Sequence, residues 1–185
     1  MKKFSVTIQG TAPLLMHRFD EQAQAELAGE VKKAKADPGT PEQQAERAAY
    51  RLESGNPSSN LYLPAEALYN AAVKAAGGLK VKGGRGASYR AAIQGNLIVE
   101  PEYIDLGMST YVVDTRRAKV QGRACMRSRP RLDKWQATFD ATVLDSDAIP
   151  DEVLNQVFVE AGQKVGVLDY RPRFGRFMVT EFKAV

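Results

Sequence analysis

The segment WQATFDATV, residues Trp135–Val143, alternates apolar and polar side chains without a break. Because successive side chains of a β-strand point to opposite faces, this period of two predicts a strand with one face in the core and the other in solvent. Half-buried strands of this kind are typical of antiparallel sheets. We therefore predict an antiparallel sheet built around this segment.

The N-terminal residues show the same alternation. Phe4, Val6 and Ile8 are separated by polar residues, which predicts a first strand rather than the continuous apolar stretch of a signal peptide. A short apolar run, Asn96–Val99, predicts another strand further along the chain.

The last predicted strand is Arg176–Phe182, which is apolar on both faces. By simple alternation Phe177 and Val179 share one face, whereas Met178 and Phe182 share the other. A strand that is apolar on both faces is typical of the middle of a sheet. We therefore predict that this strand is central.

Two segments have the pattern of helices that pack on a sheet. Pro64 precedes an alanine-rich run that ends at Gly77. Pro150 begins a second helix, which extends to about Lys164 and carries an apolar stripe. The stripe consists of Leu154, Phe158, Ala161 and Val165.

Residues 20–60 form a polar segment that is rich in helix-forming residues. Thr40 and Gln43 have the spacing of a capping box, and Pro41 occupies the first helical position. A helix is therefore predicted to begin there and to end near Ser54. We predict that 20–60 is a helical insertion that projects from the core or is partly disordered.

Without this insertion, the predicted order is strand, helix, two strands, helix and strand, with an added hairpin that turns at Gln121 and Gly122. This order predicts a single α+β domain, residues 1–185, with a ferredoxin-like or RRM-like antiparallel sheet backed by helices. The hairpin is predicted to be a basic arm, and the helical insertion follows the first strand. Such a sheet leaves one face open to a ligand.

Composition limits the functional classes. The chain contains one cysteine, Cys125, and one histidine, His17, which cannot alone form a disulfide or a zinc site. A single cysteine fits a reducing cytoplasm, which is the expected location. No run of about 18 apolar residues is present, so we expect no membrane span. The net charge of +4 favours anionic partners. We predict neither a metal nor a cofactor.

Signals for catalysis are weak. His17, with Asp20 nearby, has the residue types of a general base, and a loop histidine bonded to the backbone is the alternative. Cys125 lies between arginines that favour a thiolate, and a buried structural cysteine is the alternative. The sequence GGRG lacks the Gly-Lys-Ser/Thr of a phosphate-binding loop. We therefore predict that the protein is not an enzyme.

Positive charge is concentrated in three segments, of which 115–131 is the strongest, with seven basic residues and no acidic one. Arg123, Arg127, Arg129 and Arg131 are separated by even intervals, so a strand would place them on one face. Guanidinium groups about 7 Å apart, the spacing of alternate strand residues, suit a nucleic-acid backbone. An edge arm that uses arginine for solubility is the alternative.

The second basic segment, 79–90, combines glycines with Lys82, Arg85, Tyr89 and Arg90. Mobile loops that grip a nucleic-acid strand have this composition, and so do plain solvated loops.

The third basic segment, GVLDYRPRFGRFMVTEF at 166–182, gathers arginines and aromatic rings before the last strand. Phe174 is either a stacking surface for a base or a packing residue. The candidate nucleic-acid contacts from the three segments are Lys82, Arg85, Arg90, Arg116, Arg117, Lys119, Arg123, Arg127, Arg129, Arg131, Arg171, Arg173, Phe174 and Arg176.

Three segments together resemble the RAMP superfamily, specifically the backbone subunits that line the guide RNA in type I and type III CRISPR effector complexes. LYLPAEALYNAAVKAAG, at 61–77, is similar to the family's strand-proline-helix motif. Residues 112–145 resemble its basic hairpin and long alternating strand, and 161–179 its glycine-containing loop and final strand. The segments occur in the family's order.

The chain also departs from the family's pattern. Residues 65–70 read AEALYN where the family usually has a run like Gly-Ser-Ser-Leu-Lys-Gly, and the final loop has fewer glycines. TAPLLMHRFD and DYRPRFGRF, at 11–20 and 169–177, look closer to a group of small proteins from tailed phages.

The resemblance implies an RRM-like core, binding of single-stranded nucleic acid, and assembly side by side along the strand. For a phage-encoded relative, it implies coating of single-stranded DNA in replication or recombination, in the host cytoplasm. DNA is thus favoured over RNA, and a homo-oligomer or filament is expected. Two alternatives stay open: a metal-dependent RNA endonuclease that uses Asp20 or His17, and a phage structural or anti-defence interaction protein.

Overall fold

The structure, a computed structural model, describes residues 1–18, 39–120 and 123–185, and for 118–120, 123 and 124 it describes the backbone only. Its strands are β1 Lys2–Gly10, β2 Leu14–Leu15, β3 Tyr62–Pro64, β4 Leu97–Glu100, β5 Tyr103–Asp105, β6 Val112–Val120, β7 Arg123–Leu132, β8 Gln136–Val143 and β9 Phe177–Ala184. Its helices are α1 Pro41–Ala48, α2 Ala65–Ala76, α3 Arg90–Asn96 and α4 Asp151–Glu160, and a π-helical turn, Ala161–Val165, continues α4.

The main sheet has four strands in the order β4-β8-β1-β9, and each neighbouring pair is antiparallel. This confirms the α+β class and the antiparallel sheet. If the other elements are left aside, those of the main sheet and the two helices α2 and α4 occur in the order strand, helix, two strands, helix and strand. These are β1, α2, β4, β8, α4 and β9. The arrangement is compatible with a ferredoxin-like class.

One face of this sheet is the core, and the alternation of β8 builds it as predicted. Ala137, Phe139, Ala141 and Val143 are all buried. The ring of Phe139 meets that of Phe158 on α4 edge to face, at 5.4 Å between centroids. The predicted stripe of the second helix is therefore confirmed as a core contact.

The opposite face of the sheet is polar on its two central strands, β1 and β8. On β1 it carries Ser5, Thr7 and Gln9, which lie opposite the polar residues of β8, and Thr7 shares a hydrogen bond of 3.0 Å with Thr138. Central strands β1 and β8 therefore offer no aromatic ring on this face for a base to stack on. Any stacking surface has to lie elsewhere on the molecule.

The predicted central position of the last strand is wrong, because β9 is an edge strand next to β1. The pairing shifts between Thr7 and Ile8, where one extra residue enters β9. A bulge of this kind reverses the alternation beyond it, so Phe182 lies opposite Val6 on the core face. Its ring stacks on the core ring of Phe4, and Met178 is left 50% exposed.

A second sheet, in the order β2-β7-β6, lies beside the first. Helix α1 packs on β7 through its buried residues Ala45 and Ala48. The predicted capping box of α1 is confirmed: Gln43 N donates to Thr40 Oγ1 at 3.3 Å, and Thr40 N donates to Gln43 Oε1 at 3.0 Å.

The predicted end of α1 near Ser54 is wrong, because the helix ends at Ala48. Ala49 has an extended backbone, and Arg51 pairs with Leu61 as an isolated bridge. The buried guanidinium of Arg51 needs this extended chain to reach the carbonyl oxygens of Ser59 and Ser109, at 2.8 and 3.0 Å. The part of the predicted insertion at 20–38 lies outside the described residues.

Helix α2 begins after Pro64 and ends before Gly77, as the sequence predicts. Helix α4 follows Pro150, and Gly162 in the π-helical turn allows close approach of β9, since a Cβ there would lie 2.2 Å from Phe177 O. Of the helices in 1–18, 39–120 and 123–185, none is sufficiently long and apolar to cross a membrane.

Candidate nucleic-acid interface

The residues Gly166–Arg176 form a loop, here named the arginine loop, that closes on itself and is anchored on β2 and the residue before it. Val167 N donates to Gly175 O at 2.9 Å. Asp169 N donates to Leu15 O at 3.1 Å, and Gly175 N to Pro13 O at 2.9 Å. Backbone bonds at both ends thus fix the loop against the core.

Two side-chain-bearing residues of the arginine loop have left-handed backbone conformations, with φ of 59° at Leu168 and 57° at Tyr170. Such conformations cost energy for residues that have a Cβ, and they cluster at functional sites. Gly175 has a φ of 70°, which favours glycine. Glycine is also the only residue that fits there, because a Cβ would lie 1.9 Å from Val167 O. The loop is therefore held in one defined shape.

The arginine loop packs on the basic hairpin, which consists of β6 and β7. Arg129 Nε on β7 lies 2.9 Å from Asp169 Oδ2, and its guanidinium lies 5.2 Å from the ring centroid of Tyr170. Tyr170 Oη donates to Arg117 O at 3.2 Å. These contacts join two basic segments that lie far apart in the sequence.

A buried carboxylate organises two further arginines of the hairpin. Asp114 is paired with Arg116 and, at 2.9 Å, with Arg131. Hydrogen bonds from Arg116 and then Arg131 lower the pKa of Asp114 below its ordinary value, although burial acts in the opposite direction. Because Asp114 neutralises part of this charge, Arg116 and Arg131 are not simple exposed cations.

The strand register places Arg127, Arg129 and Arg131 opposite alternate residues of β6, as the even spacing predicts. Their surroundings nevertheless differ. Arg129 is only 6% exposed, and its Nε–H does not point at Asp169, so that contact is an ion pair without a hydrogen bond. Arg127 is half-buried and donates from Nη1 to His17 Nε2 at 3.2 Å.

Phe174 is 5% exposed, and its ring is covered by the guanidinium of Arg116, 4.7 Å from the ring centroid. The edge of Tyr170 meets it from another side. In this structure Phe174 therefore supports the arginine loop.

Among the described side chains of the basic hairpin and the arginine loop, four candidate arginines are exposed. They are Arg117 on the hairpin and Arg171, Arg173 and Arg176 on the loop. The contacts that join the loop to the hairpin therefore bring together the two segments that carry these four exposed arginines.

Next to the arginine loop lies a cleft of about 530 Å³. Four parts of the chain form it: the residues after β2, the residues after α1, one side of α2 with the proline before it, and the arginine loop. Its lining residues are His17, Tyr50, Pro64, Glu66, Ala67, Asn70, Lys74, Leu168, Asp169 and Arg171. We call it the α2 cleft.

A group of three tyrosines, of which Tyr50 lines the cleft, is not evident from the sequence. The rings of Tyr50 and Tyr62 lie 5.4 Å apart, and those of Tyr62 and Tyr103 lie 4.7 Å apart. Burial raises the pKa of both Tyr50 and Tyr62, whereas Tyr103 is 50% exposed. Only Tyr62 and Tyr103 belong to paired strands, β3 and β5, so no local pattern connects all three.

The other candidates lie elsewhere or outside the description. In the 79–90 segment, Lys82, Arg85 and Arg90 are exposed, and the backbone hydrogen bonds described for this loop run within 76–89. The side chains of Lys119 and Arg123 are outside the described residues.

Asp20 is also outside the described residues. Cys125 is a free, half-buried thiol. Among the residues that are described, no three His, Cys, Asp or Glu side chains are grouped to hold a metal ion.

Comparison with known proteins identifies no relative: no family model matches the chain, and no curated protein matches it. The candidate site therefore rests on its own geometry.

Proposed function

We propose that the protein binds single-stranded nucleic acid along the surface where the arginine loop meets the basic hairpin. The observation that carries this proposal is the meeting of the two segments through Asp169–Arg129, Tyr170–Arg117 and Phe174–Arg116. Each of the two joined segments also carries exposed arginines among its described side chains: Arg117 on the hairpin, and Arg171, Arg173 and Arg176 on the arginine loop.

The chemistry of these groups suits a phosphate backbone. Guanidinium groups donate paired hydrogen bonds to phosphate oxygens and stay charged at any physiological pH. The ion pair of Arg129 with Asp169 holds the loop against the hairpin, so the backbone that carries the exposed arginines is held in place. A fixed backbone reduces the conformational entropy that is lost when these arginines bind a strand.

Several finer features belong to the same proposal. We propose that the four-stranded sheet is RRM-like, that the basic hairpin serves as an arm, and that the chain is a RAMP-like relative. We favour single-stranded DNA over RNA, a role in phage replication or recombination in the host cytoplasm, and binding without catalysis. Support comes from the segment order and the basic segments, not from any matched relative.

The test is a salt titration of binding to labelled single-stranded DNA, single-stranded RNA and duplex DNA of equal length. Each phosphate contact on a single strand contributes a slope of about −0.7 in log K against log salt. The double substitution Arg117→Ala with Arg173→Ala should therefore make the slope shallower by about 1.4. It should weaken all sequences equally.

A matched control removes two positive charges elsewhere, by Lys164→Ala with Lys183→Ala. Both lysines are exposed and pair with a neighbouring glutamate on the surface. The control should keep the parent slope. Equal slopes for the arginine variant and the parent, with both folded, would refute the proposed surface.

A further inference from the structure

We propose that the α2 cleft binds one unstacked nucleobase of the strand, with Tyr50 as its stacking wall. This inference rests on the proposed function, because it assigns a place for a base beside the arginines that hold the phosphates. It also assigns a role to residues that lie outside all three basic segments.

The size of the cleft fits such a ligand. Its volume of about 530 Å³ falls within the range of small-molecule sites, which is about 300–1,000 Å³. Its lining combines aromatic and apolar groups, from Tyr50, Pro64, Ala67 and Leu168, with polar and charged groups. A flat ring with polar edges can use both kinds of group.

The polar groups favour a base over a phosphate. Glu66 and Asn70 lie one turn apart on α2, and Asn70 Nδ2 donates to Glu66 Oε1 at 3.4 Å. A carboxylate accepts from the amino and imino groups of bases, and an amide both donates and accepts. The same carboxylate repels a phosphate, so a phosphate is expected outside this part of the cleft.

Cations at the margin provide places for the flanking phosphates. Lys74 and Arg171 line the cleft and are both exposed. Arg171 belongs to the arginine loop, so a strand that leaves the cleft there arrives at the exposed arginines. The Asp169 carboxylate, which also lines the cleft, is paired with Arg129 and adds little repulsion.

A continuous series of contacts connects the cleft with the hairpin on one side and with an exposed ring on the other. Arg127 donates to His17, and Tyr50 Oη donates to His17 O at 3.4 Å. From Tyr50, ring contacts lead through Tyr62 to Tyr103, which is half-exposed. Since stacking on aromatic rings is independent of sequence, Tyr103 can hold the next base.

The experiment measures competition against a labelled single strand by three unlabelled probes. These are the same strand, an abasic strand of equal length, and the corresponding mononucleotide. We expect the abasic strand to bind about 5- to 150-fold more weakly, which corresponds to the loss of one stacked base. Equal affinity of the intact and abasic strands would overturn the inference.

Variants locate the effect. Asn70→Ala alters an exposed side chain, and Tyr103→Leu alters a half-exposed ring that packs on Tyr62, so urea unfolding checks that both variants are folded. Each should weaken the intact strand about 5-fold or more while leaving the abasic strand and the salt slope unchanged. Gln156→Ala on the exposed side of α4 is the matched control and should have no effect. Variants that bind both strands like the parent would overturn the inference.

The two proposals fail in different ways. If the arginine variant lowers the salt slope but the intact and abasic strands compete equally, the cleft inference is wrong and the proposed function stands. If no strand binds, both are wrong. If only the mononucleotide binds, the cleft is a site for free nucleotides, and both the strand inference and the proposed function are wrong.

Discussion

At the scale of single residues, arginines of the same basic hairpin have different roles. Arg129 is buried between Asp169 and the ring of Tyr170, whereas Arg117 on the opposite strand is exposed. A charge taken out of water requires a partner, and removal of that partner is costly. Loss of Arg129 is therefore expected to change the stability of the fold, whereas loss of Arg117 is expected to change binding.

The substitution Arg129→Ala should lower the free energy of unfolding by about 2–4 kcal/mol, since it leaves a cavity and an unpaired Asp169 that is partly exposed. Arg117→Ala should change it by no more than about 0.5 kcal/mol. Urea unfolding of both variants measures the difference. Equal stabilities would contradict a structural role for Arg129.

The substitution Gly175→Ala should open the arginine loop. The left-handed backbone alone costs about 1–2 kcal/mol for alanine, and the clash with Val167 O adds about 1–3 kcal/mol. Gly55→Ala is the control, because Gly55 has a similar φ of 78° and nothing within 4 Å of an added Cβ. Thermal or urea unfolding should show Gly175→Ala as clearly the less stable of the two, and equal losses would contradict the clash.

At the scale of elements, α1 is connected to β6 by a network around Arg51. This guanidinium is buried and donates from Nη2 to Glu46 Oε2 at 2.9 Å. Tyr111 Oη donates to the same oxygen at 2.7 Å. Burial and then the bond to Glu46 raise the pKa of Tyr111 to about 12. The network fixes α1 and the start of the hairpin together.

Loss of stability in acid should depend on Glu46. The hydrogen bond from Arg51 lowers the pKa of Glu46 below its ordinary value of 4.5. A carboxyl whose pKa is lower in the folded chain contributes stability above its ordinary pKa, and this contribution disappears as the pH falls through the folded value. The parent should therefore lose more stability between about pH 5 and pH 3 than Glu46→Gln does.

Urea unfolding at several pH values checks this expectation. Asp114 also has a lowered pKa, but it is present in both proteins and does not affect their difference. Parallel pH profiles for the parent and Glu46→Gln would contradict the role of the network.

At the scale of the whole molecule, the main sheet has two unequal edges. β4 is a short edge strand of four residues, and β9 an edge strand of eight. Long edge strands are sites where further strands or other copies add. The position of β9, next to the arginine loop in sequence, places such an edge close to the proposed binding surface.

We expect the protein to associate side by side on a strand. Sedimentation with oligonucleotides of increasing length should show complexes whose mass grows stepwise, because each copy occupies about 4–16 nucleotides. A single copy on every length would remove the coating proposal and leave binding itself intact.

Local patterns were sufficient for most elements of this protein. The alternation of β8, the capping box of α1 and the helix that begins after Pro64 were all predicted, because each depends on residues close in sequence. Segregation of positive charge was also evident from the sequence alone.

Only the tertiary structure decided which positions the elements take and which arginines stay exposed. The edge position of β9 follows from its pairing with β1 alone, and a bulge opposite β1 decides which of its side chains face the core. The pairing of Arg129 follows from an aspartate forty residues away. The α2 cleft and its tyrosines are assembled from segments far apart in the chain. Such contacts depend on the packing of distant segments, and a period or a composition within one segment carries no information about them.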